Sequence, residues 1–246
     1  MLKNTYKHFN FDIIHSSWGN CIKDALSTID KHYLQILIKN NEWLPGKNKI
    51  FNAFSTPLNS VKYVLFGESP YPRPESANGY AFWDENVTNL WSDTGLSKPV
   101  NKATSMRNII KMLLVAENLL CENNTTQENI SSIDKKQLVQ TNSQLFNNIL
   151  GSGFLLLNAT PVLQKNNIKK DAQIWQPFNK IILNCIHKHN RDVHVLLLGG
   201  IAKAIDKLTQ NININKIYSE HPYNISFIKN KKIINFFREL HLLINK

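Results

Sequence analysis

Cysteine is scarce. The three cysteines, Cys21, Cys121 and Cys185, stand far apart in a chain of 246 residues. Their spacing is that of no metal or thiol–disulfide motif, and the odd count argues against a disulfide framework, so a reducing compartment is expected. Long apolar runs are missing too. No segment approaches the roughly 18 apolar residues of a membrane span, and the opening MLKNTYKHFNFD lacks the apolar centre of a signal peptide. These absences point away from a disulfide-stapled secreted fold and from a membrane protein, toward a soluble intracellular chain. No glycine-rich nucleotide fingerprint occurs, and no His/Cys/Asp set has ligand spacing, so neither cofactor nor metal is expected.

Acidic residues are few as well. Against 29 Lys+Arg stand 18 Asp+Glu, a formal net charge of +11. The excess is uneven: residues 1–160 carry 15 basic and 13 acidic side chains, whereas residues 161–246 carry 14 and 5. Such asymmetry suggests a basic face turned toward a polyanion, with nucleic acid the first choice. The plainer reading is solubility in a chain rich in Lys and Asn.

Four runs have strand character: Val61–Phe66, Phe154–Leu157, Val193–Leu198 and, more weakly, Lys216–Ser219. Helical spacing lies between them. Ser105–Leu120 places Met106, Ile109, Ile110, Leu113 and Leu114 on one face, with Thr104 or Ser105 as N-cap. Phe178–His187 repeats the pattern with Pro177 in its first turn, and Ile201–Leu208 and Lys232–Leu243 follow. The first fifty residues read as helical, most clearly over Ile22–Ile38. Strands alternating with helices predict an α/β fold, a three-layer α/β/α sandwich around a central four-stranded, mainly parallel sheet. One domain over residues 1–246 is expected, with a polar surface insertion around 122–148.

Each strand ends in residues suited to chemistry. The first runs into Gly67-Glu68-Ser69-Pro70-Tyr71, the second into Asn158, the third into Gly199-Gly200, and the fourth into Glu220-His221-Pro222. Glycine, asparagine and proline punctuate strand ends everywhere. Four such ends on one sheet edge nonetheless favour a composite site, because ligands bind at the carboxyl edge of open parallel sheets. The loop after the first strand is stiffened by Pro70, Pro72 and Pro74 and has little entropy left to lose. A serine hydrolase built on Gly-Glu-Ser is excluded. Tyr71 stands where a nucleophile elbow needs glycine, and Pro70 has no N–H for an oxyanion hole.

The stretch IFNAFSTPLNSVKYVLFGESPYPRPESANGYAF (Ile50–Phe82) resembles the family 1 uracil-DNA glycosylases, which carry FNAF, a strand, GQDPYHGP and AHG-x-x-F. FLLLN (Phe154–Asn158) is similar to their second motif, LLLN, and HPYNIS (His221–Ser226) to their third, HPSPLS. Trp175 and VLLLGG fall in the family's order, and the similarity spans roughly Trp43 to Leu240. The resemblance implies that Phe82 stacks on an extruded uracil and that Asn158 reads its polar edge. It implies that Tyr71 excludes the thymine methyl and that His221 hydrogen-bonds O2 as the leaving group becomes anionic. Ile225 stands where the family has the leucine that enters the base stack. DNA contacts are implied for Pro222, Ile225, Ser226, Gly199, Gly200 and Ser105.

The sequence departs from the pattern at the catalytic aspartate, third residue of GQDPYH, which is Ser69 here. A serine hydroxyl orients a water but supplies no anion. Glu68, in place of the family's glutamine, is the rescue candidate, although neighbours in extended backbone point opposite ways. Pro72 and Asn78 replace motif histidines, Gly199-Gly200 lacks the family's serine, and Tyr223 replaces the first serine of HPSPLS. Lys98, Lys102, Lys203, Lys229, Lys231 and Lys232 are left to supply charge toward phosphate. The expected function is a monofunctional DNA repair glycosylase that hydrolyses the N-glycosidic bond of uracil. The alternative is a weak or inactive uracil- or DNA-binding relative that recognises or scaffolds. The implied partner is uracil-containing DNA, single- or double-stranded, met by a monomer. The implied location is the cytoplasm and nucleoid in a prokaryote, with a nuclear or organellar home left open.

Overall fold

Short apolar runs separated by amphipathic segments fold here as alternating strands and helices. The computed structural model describes residues 8–40, 42–165 and 167–245, so the first seven residues of the opening stretch lie outside the described part. In chain order the elements begin with α1 (Gly19–Ser27), α2 (Lys31–Lys39), β1 (Tyr63–Gly67), β2 (Trp91–Ser92) and β3 (Gly95–Leu96). Next come α3 (Lys98–Lys102), α4 (Thr104–Ala116), α5 (Gln127–Ser131), α6 (Asn142–Gly151) and β4 (Phe154–Asn158). The last are α7 (Ile168–His189), β5 (His194–Leu198), α8 (Ile201–Leu208), β6 (Asn215–Ser219) and α9 (Lys231–Arg238).

The main sheet has the order β4-β1-β5-β6. β1 pairs in parallel with β4, Gly67 opposite Asn158, and in parallel with β5 on its other side. Side chains alternate across it. Val64, Phe66, Leu155, Leu157, Val195 and Leu197 join one core with Trp18, Ile22 and Leu26, and with Trp175, Phe178, Ile182 and Ile186 of α7. Leu65, Leu156 and Leu196 on the opposite face are buried as well. Burial on both faces is the mark of a covered parallel sheet, and the α/β class read from the sequence is the class found.

The chain divides into two compact units. One holds residues up to Asp84, Gly153–Leu197 and Ile201–Ile217; the other holds Glu85–Ser152, Leu198–Gly200 and Tyr218 onward. In the second, α4 packs on α9 and on the 3-10 turn Ile225–Lys229, burying Met106, Ile110, Leu113, Phe227, Ile233 and Phe237. The stretch 122–148, expected as a polar surface insertion, contains α5 and most of α6. It buries Ile130, Leu138, Val139, Leu145 and Phe146. Its few apolar residues are spaced to face inward, which average polarity conceals.

Several local expectations change. The single helix over Ile22–Ile38 is two, with Asp30 capping the second through the Tyr33 N–H. Neither Thr104 nor Ser105 caps α4, which starts one residue early with Ala103 at the cap and no side-chain acceptor. Helix α7 begins ten residues before Phe178, so Pro177 lies inside it. Cys21 and Cys185 are joined in a disulfide between α1 and α7, their Cα atoms 6.2 Å apart. An odd count leaves room for one pair, and packing α1 on α7 brings it together across 164 residues. Cys121 is free and exposed.

The early start of α7 rests on Asp171, a fully buried carboxylate in its first turn. It accepts from the Tyr33 hydroxyl at 2.8 Å and from Gln164 Nε2 at 3.0 Å, while Trp175 Nε1 donates to the Tyr33 oxygen at 3.2 Å. Burial pushes the Asp171 pKa up, and the hydrogen bonds from Tyr33 and Gln164 offset part of that rise. Tyr33→Phe keeps the ring, leaves Trp175 Nε1 without its acceptor and takes one of two donors from Asp171. It is expected to cost about 2 kcal/mol in denaturant unfolding at unchanged m-value.

Candidate functional site

In the first unit the site is built at the ends of β1 and β4. After the paired positions Gly67 and Asn158 the two strands stay tied, since Ala159 N donates to Gly67 O and Thr160 N to Glu68 O, both at 2.9 Å. Gly67 is required by close approach. A Cβ there would come within 2.8 Å of Asn158 Oδ1 and 3.0 Å of the Ala81 Cβ. Asn158 is 5 % exposed, and its Nδ2 is buried without a hydrogen-bond partner among the described residues. A buried amide donor left unpaired costs about 1–3 kcal/mol. Such an orphaned donor calls for an explanation, and a hydrogen bond to a bound ligand would supply one.

The loop following β1 folds over this edge. The Tyr71 hydroxyl donates to the Phe82 carbonyl at 3.2 Å, and burial, helped by the Asp84 charge, pushes that phenol well above its ordinary pKa. Tyr71 is therefore a neutral wall and donor. Phe82 has φ +64°, the left-handed region that a bulky side chain rarely adopts. Holding it there costs on the order of 1–3 kcal/mol and needs a surrounding that over-determines it. Two residues on, buried Asp84 accepts from Arg73 Nη2 at 2.9 Å and bridges back to Ala77. The Arg73 carbonyl meanwhile accepts from the N–H groups of Ser76 and Ala77. Asn78, at a motif histidine, is buried and turns the chain by accepting from the Tyr80 N–H at 3.0 Å. Glu68 is exposed and Ser69 half-buried. Both line a cleft of about 160 Å³ with Ala159, Thr160 and residues of α7 and α8.

In the second unit Gly199 has φ +73°, and a Cβ on it would meet the His221 Cβ at 2.6 Å. Its N–H donates to Ser219 O at 2.9 Å, and the more exposed Gly200 follows. Half-buried His221 accepts at Nδ1 from the Tyr223 N–H at 3.0 Å. That bond places the proton of the neutral ring on Nε2, which becomes a donor. Pro222 is buried, and its carbonyl accepts from Asn108 Nδ2 at 2.8 Å. Ile225 and Ser226 are exposed, and Ser105 is half-buried in the first turn of α4. Lys231 pairs with Glu122 at 2.8 Å and Lys229 with Asn123 at 2.9 Å.

Tyr71, Phe82 and Asn158, with Glu68 and Ser69, thus belong to the first unit. His221, Pro222, Ile225, Ser226, Gly199, Gly200 and Ser105 belong to the second. Three contributors escape a sequence reading: Arg73, Asp84 and Asn108. Asn108 left a trace, being a polar residue on the apolar face of α4. Glu220 accepts from Asn230 Nδ2 at 2.7 Å and from Ser219 Oγ at 2.8 Å, with Ser226 also hydrogen-bonded to it. Burial raises its pKa, and these hydrogen bonds, with its own backbone N–H, outweigh that and hold it below the ordinary 4.5. A depressed carboxyl stabilises above the unfolded value and loses that contribution as pH falls through the folded one. Glu220→Gln is therefore expected to cost about 1 kcal/mol at pH 7. The difference should vanish as thermal melts are taken below pH 4.5. Among the described residues no three His, Cys, Asp or Glu side chains gather as metal ligands, and no helix is long and apolar enough to cross a membrane.

No protein-family model matches the chain. The crystal structure of the wild-type UNG of Nitratifractor salsuginis superposes with a TM-score of 0.92 at 35 % identity, covering 100 % of this chain and 97 % of that one. A curated uracil-DNA glycosylase of Streptococcus mutans is 27 % identical over 218 residues, covering 86 % of this chain and 85 % of the relative. Mimivirus uracil-DNA glycosylase, at 17 % identity and a TM-score of 0.58 over 85 % of this chain and 70 % of that one, shares the fold.

Proposed function

Because the chain belongs to the uracil-DNA glycosylase superfamily, we propose that it hydrolyses the N-glycosidic bond of uracil in DNA, releasing the base and leaving an abasic site. The observation that carries this is the buried, unpaired Nδ2 of Asn158 at the end of β4. A single carboxamide offers a donor for uracil O4 and an acceptor for N3–H, whereas cytosine presents the opposite pattern. Phe82 supplies the stacking face for an extruded base. Tyr71 fills the space beside C5, where thymine carries its methyl.

In the reaction the C1′–N1 bond breaks with its electron pair leaving on the base. The water oxygen bonds to C1′, and one water proton ends on uracil. His221, protonated at Nε2, donates to O2 as charge builds there, which is stabilisation of a developing anion. Ser69 orients the water without adding charge to the site, so leaving-group stabilisation bears more of the catalysis. Ile225 is the aliphatic wedge that holds the duplex open behind the departed nucleotide. The working form is taken as a monomer acting on uracil-containing DNA, single- or double-stranded, in the cytoplasm and nucleoid of a prokaryote or in a nucleus or organelle otherwise.

The test is release of uracil from an oligonucleotide bearing one deoxyuridine. Free uracil should appear in step with alkali-labile sites, and none should come from cytosine or thymine. Ser69 favours a second reading, a relative that binds uracil-containing DNA without cleaving it. Tight binding with no release from single-stranded substrate at high protein concentration would decide for that reading.

A further inference from the structure

The turn that begins at His221 is pinned at its backbone and open at its side chains. The Tyr223 N–H donates to His221 Nδ1 at 3.0 Å, and the Asn224 N–H donates to the His221 carbonyl at 2.9 Å. The carbonyls of Pro222 and Tyr223 both accept from Asn108 Nδ2, at 2.8 and 3.3 Å. Asn108 is 2 % exposed on α4. Against this fixed backbone, Ile225 is 76 % and Tyr223 66 % exposed, well beyond the 47 % of Ile168, the next large apolar residue among the described residues. An aromatic ring that stays in water on a turn whose backbone is already ordered has paid most of the entropy of a contact in advance.

We infer that Tyr223 is a second base-contacting side chain, stacking on a nucleobase of the uracil-bearing strand beside the gap assigned to Ile225. This rests on the uracil-DNA reading above and adds a residue to it. The occupant is a base because of the ring's exposure and the basic residues that follow it in the chain. Lys229, Lys231 and Lys232 follow it in the same unit, Lys229 hydrogen-bonded to Asn123 and Lys231 paired with Glu122 at the surface, and residues 218–246 carry 5 basic against 2 acidic side chains. Lysines hold phosphates without regard to sequence, and aromatic faces combined with such charge are how strands with exposed bases are gripped. At this position the third motif of the family has serine, whose hydroxyl suits a phosphate. Tyrosine offers both a hydroxyl and a face, and substitution separates the two.

Equilibrium binding of the full chain to an oligonucleotide carrying a tetrahydrofuran abasic analogue, with 2-aminopurine beside it, reads the contact without requiring excision. Tyr223→Ser and Tyr223→Ala are expected to weaken binding about tenfold, the order of one lost base–aromatic stack. Tyr223→Phe and Tyr223→Trp should keep wild-type affinity. The wild type and Tyr223→Phe should quench 2-aminopurine, and Tyr223→Ser should not. Unchanged affinity in Tyr223→Ser overturns the inference, and so does loss in Tyr223→Phe with retention in Tyr223→Ser, which would mark a hydroxyl–phosphate contact. Uracil release by the wild type is measured alongside. Release with unaltered Tyr223→Ser affinity removes this inference alone; no release with a tenfold affinity loss removes the glycosylase reading alone.

Discussion

Asn158→Ala is expected to lower kcat/KM for uracil release by roughly 10³-fold, the loss seen when one preorganised donor to a developing anion is removed. The size follows from how the side chain is kept. Its Nδ2 is unpaired in the folded protein, so the desolvation cost is already borne and the bond to O4 is gained in full on binding. As C1′–N1 breaks, negative charge spreads onto O4, and the same bond tightens. Part of the loss therefore appears in kcat, beyond any rise in KM. Single-turnover rates on a deoxyuridine oligonucleotide measure it. Folding is expected to survive, because the buried Nδ2 makes no hydrogen bond that truncation would break. A rate within tenfold of wild type would deny Asn158 the recognition role.

Ser69→Asp is expected to raise the rate, by about 10²-fold. Position 69 stands at the motif's aspartate, and the half-buried Ser69 lies between buried Pro70 and the glycine that closes β1. A carboxylate there adds a base for the water and an anion near the cationic sugar. Glu68 provides the counter-test. It is exposed, and its carbonyl is spent on the Thr160 N–H. If Glu68 already supplied the missing charge, Glu68→Gln would silence the protein and Ser69→Asp would add little. The expected pattern is the reverse, with Glu68→Gln changing the rate only a few-fold. Side-by-side rates of the two variants under single-turnover conditions decide it.

Local pattern carried the sheet. Val64-Leu65-Phe66, Leu155-Leu156-Leu157 and Val195-Leu196-Leu197 are apolar on both faces, and short apolar runs bounded by turn signals are the pattern of a covered strand. The motif residues at the strand ends were legible for the same reason. What escaped depends on partners distant in sequence. Ile168–Ile174 reads as polar surface because it holds Lys169, Lys170 and Asp171, yet Asp171 is buried by a tyrosine 138 residues away. Asn108 on α4 is satisfied by carbonyls more than a hundred positions later. Pairing of Cys21 with Cys185 likewise follows from helix packing, which no count of cysteines reveals. Arg73 looks like one more solvated cation until Asp84 is folded against it.

The left-handed backbone of Phe82 has a further consequence. An aromatic platform fixed during folding is as ready for a severed base as for an attached one, since neither must induce it to form. Free uracil should therefore compete for the same face, and turnover at high conversion should slow by product inhibition, relieved on dilution. A receptor that adapted to its substrate would escape this penalty; a stiff one does not.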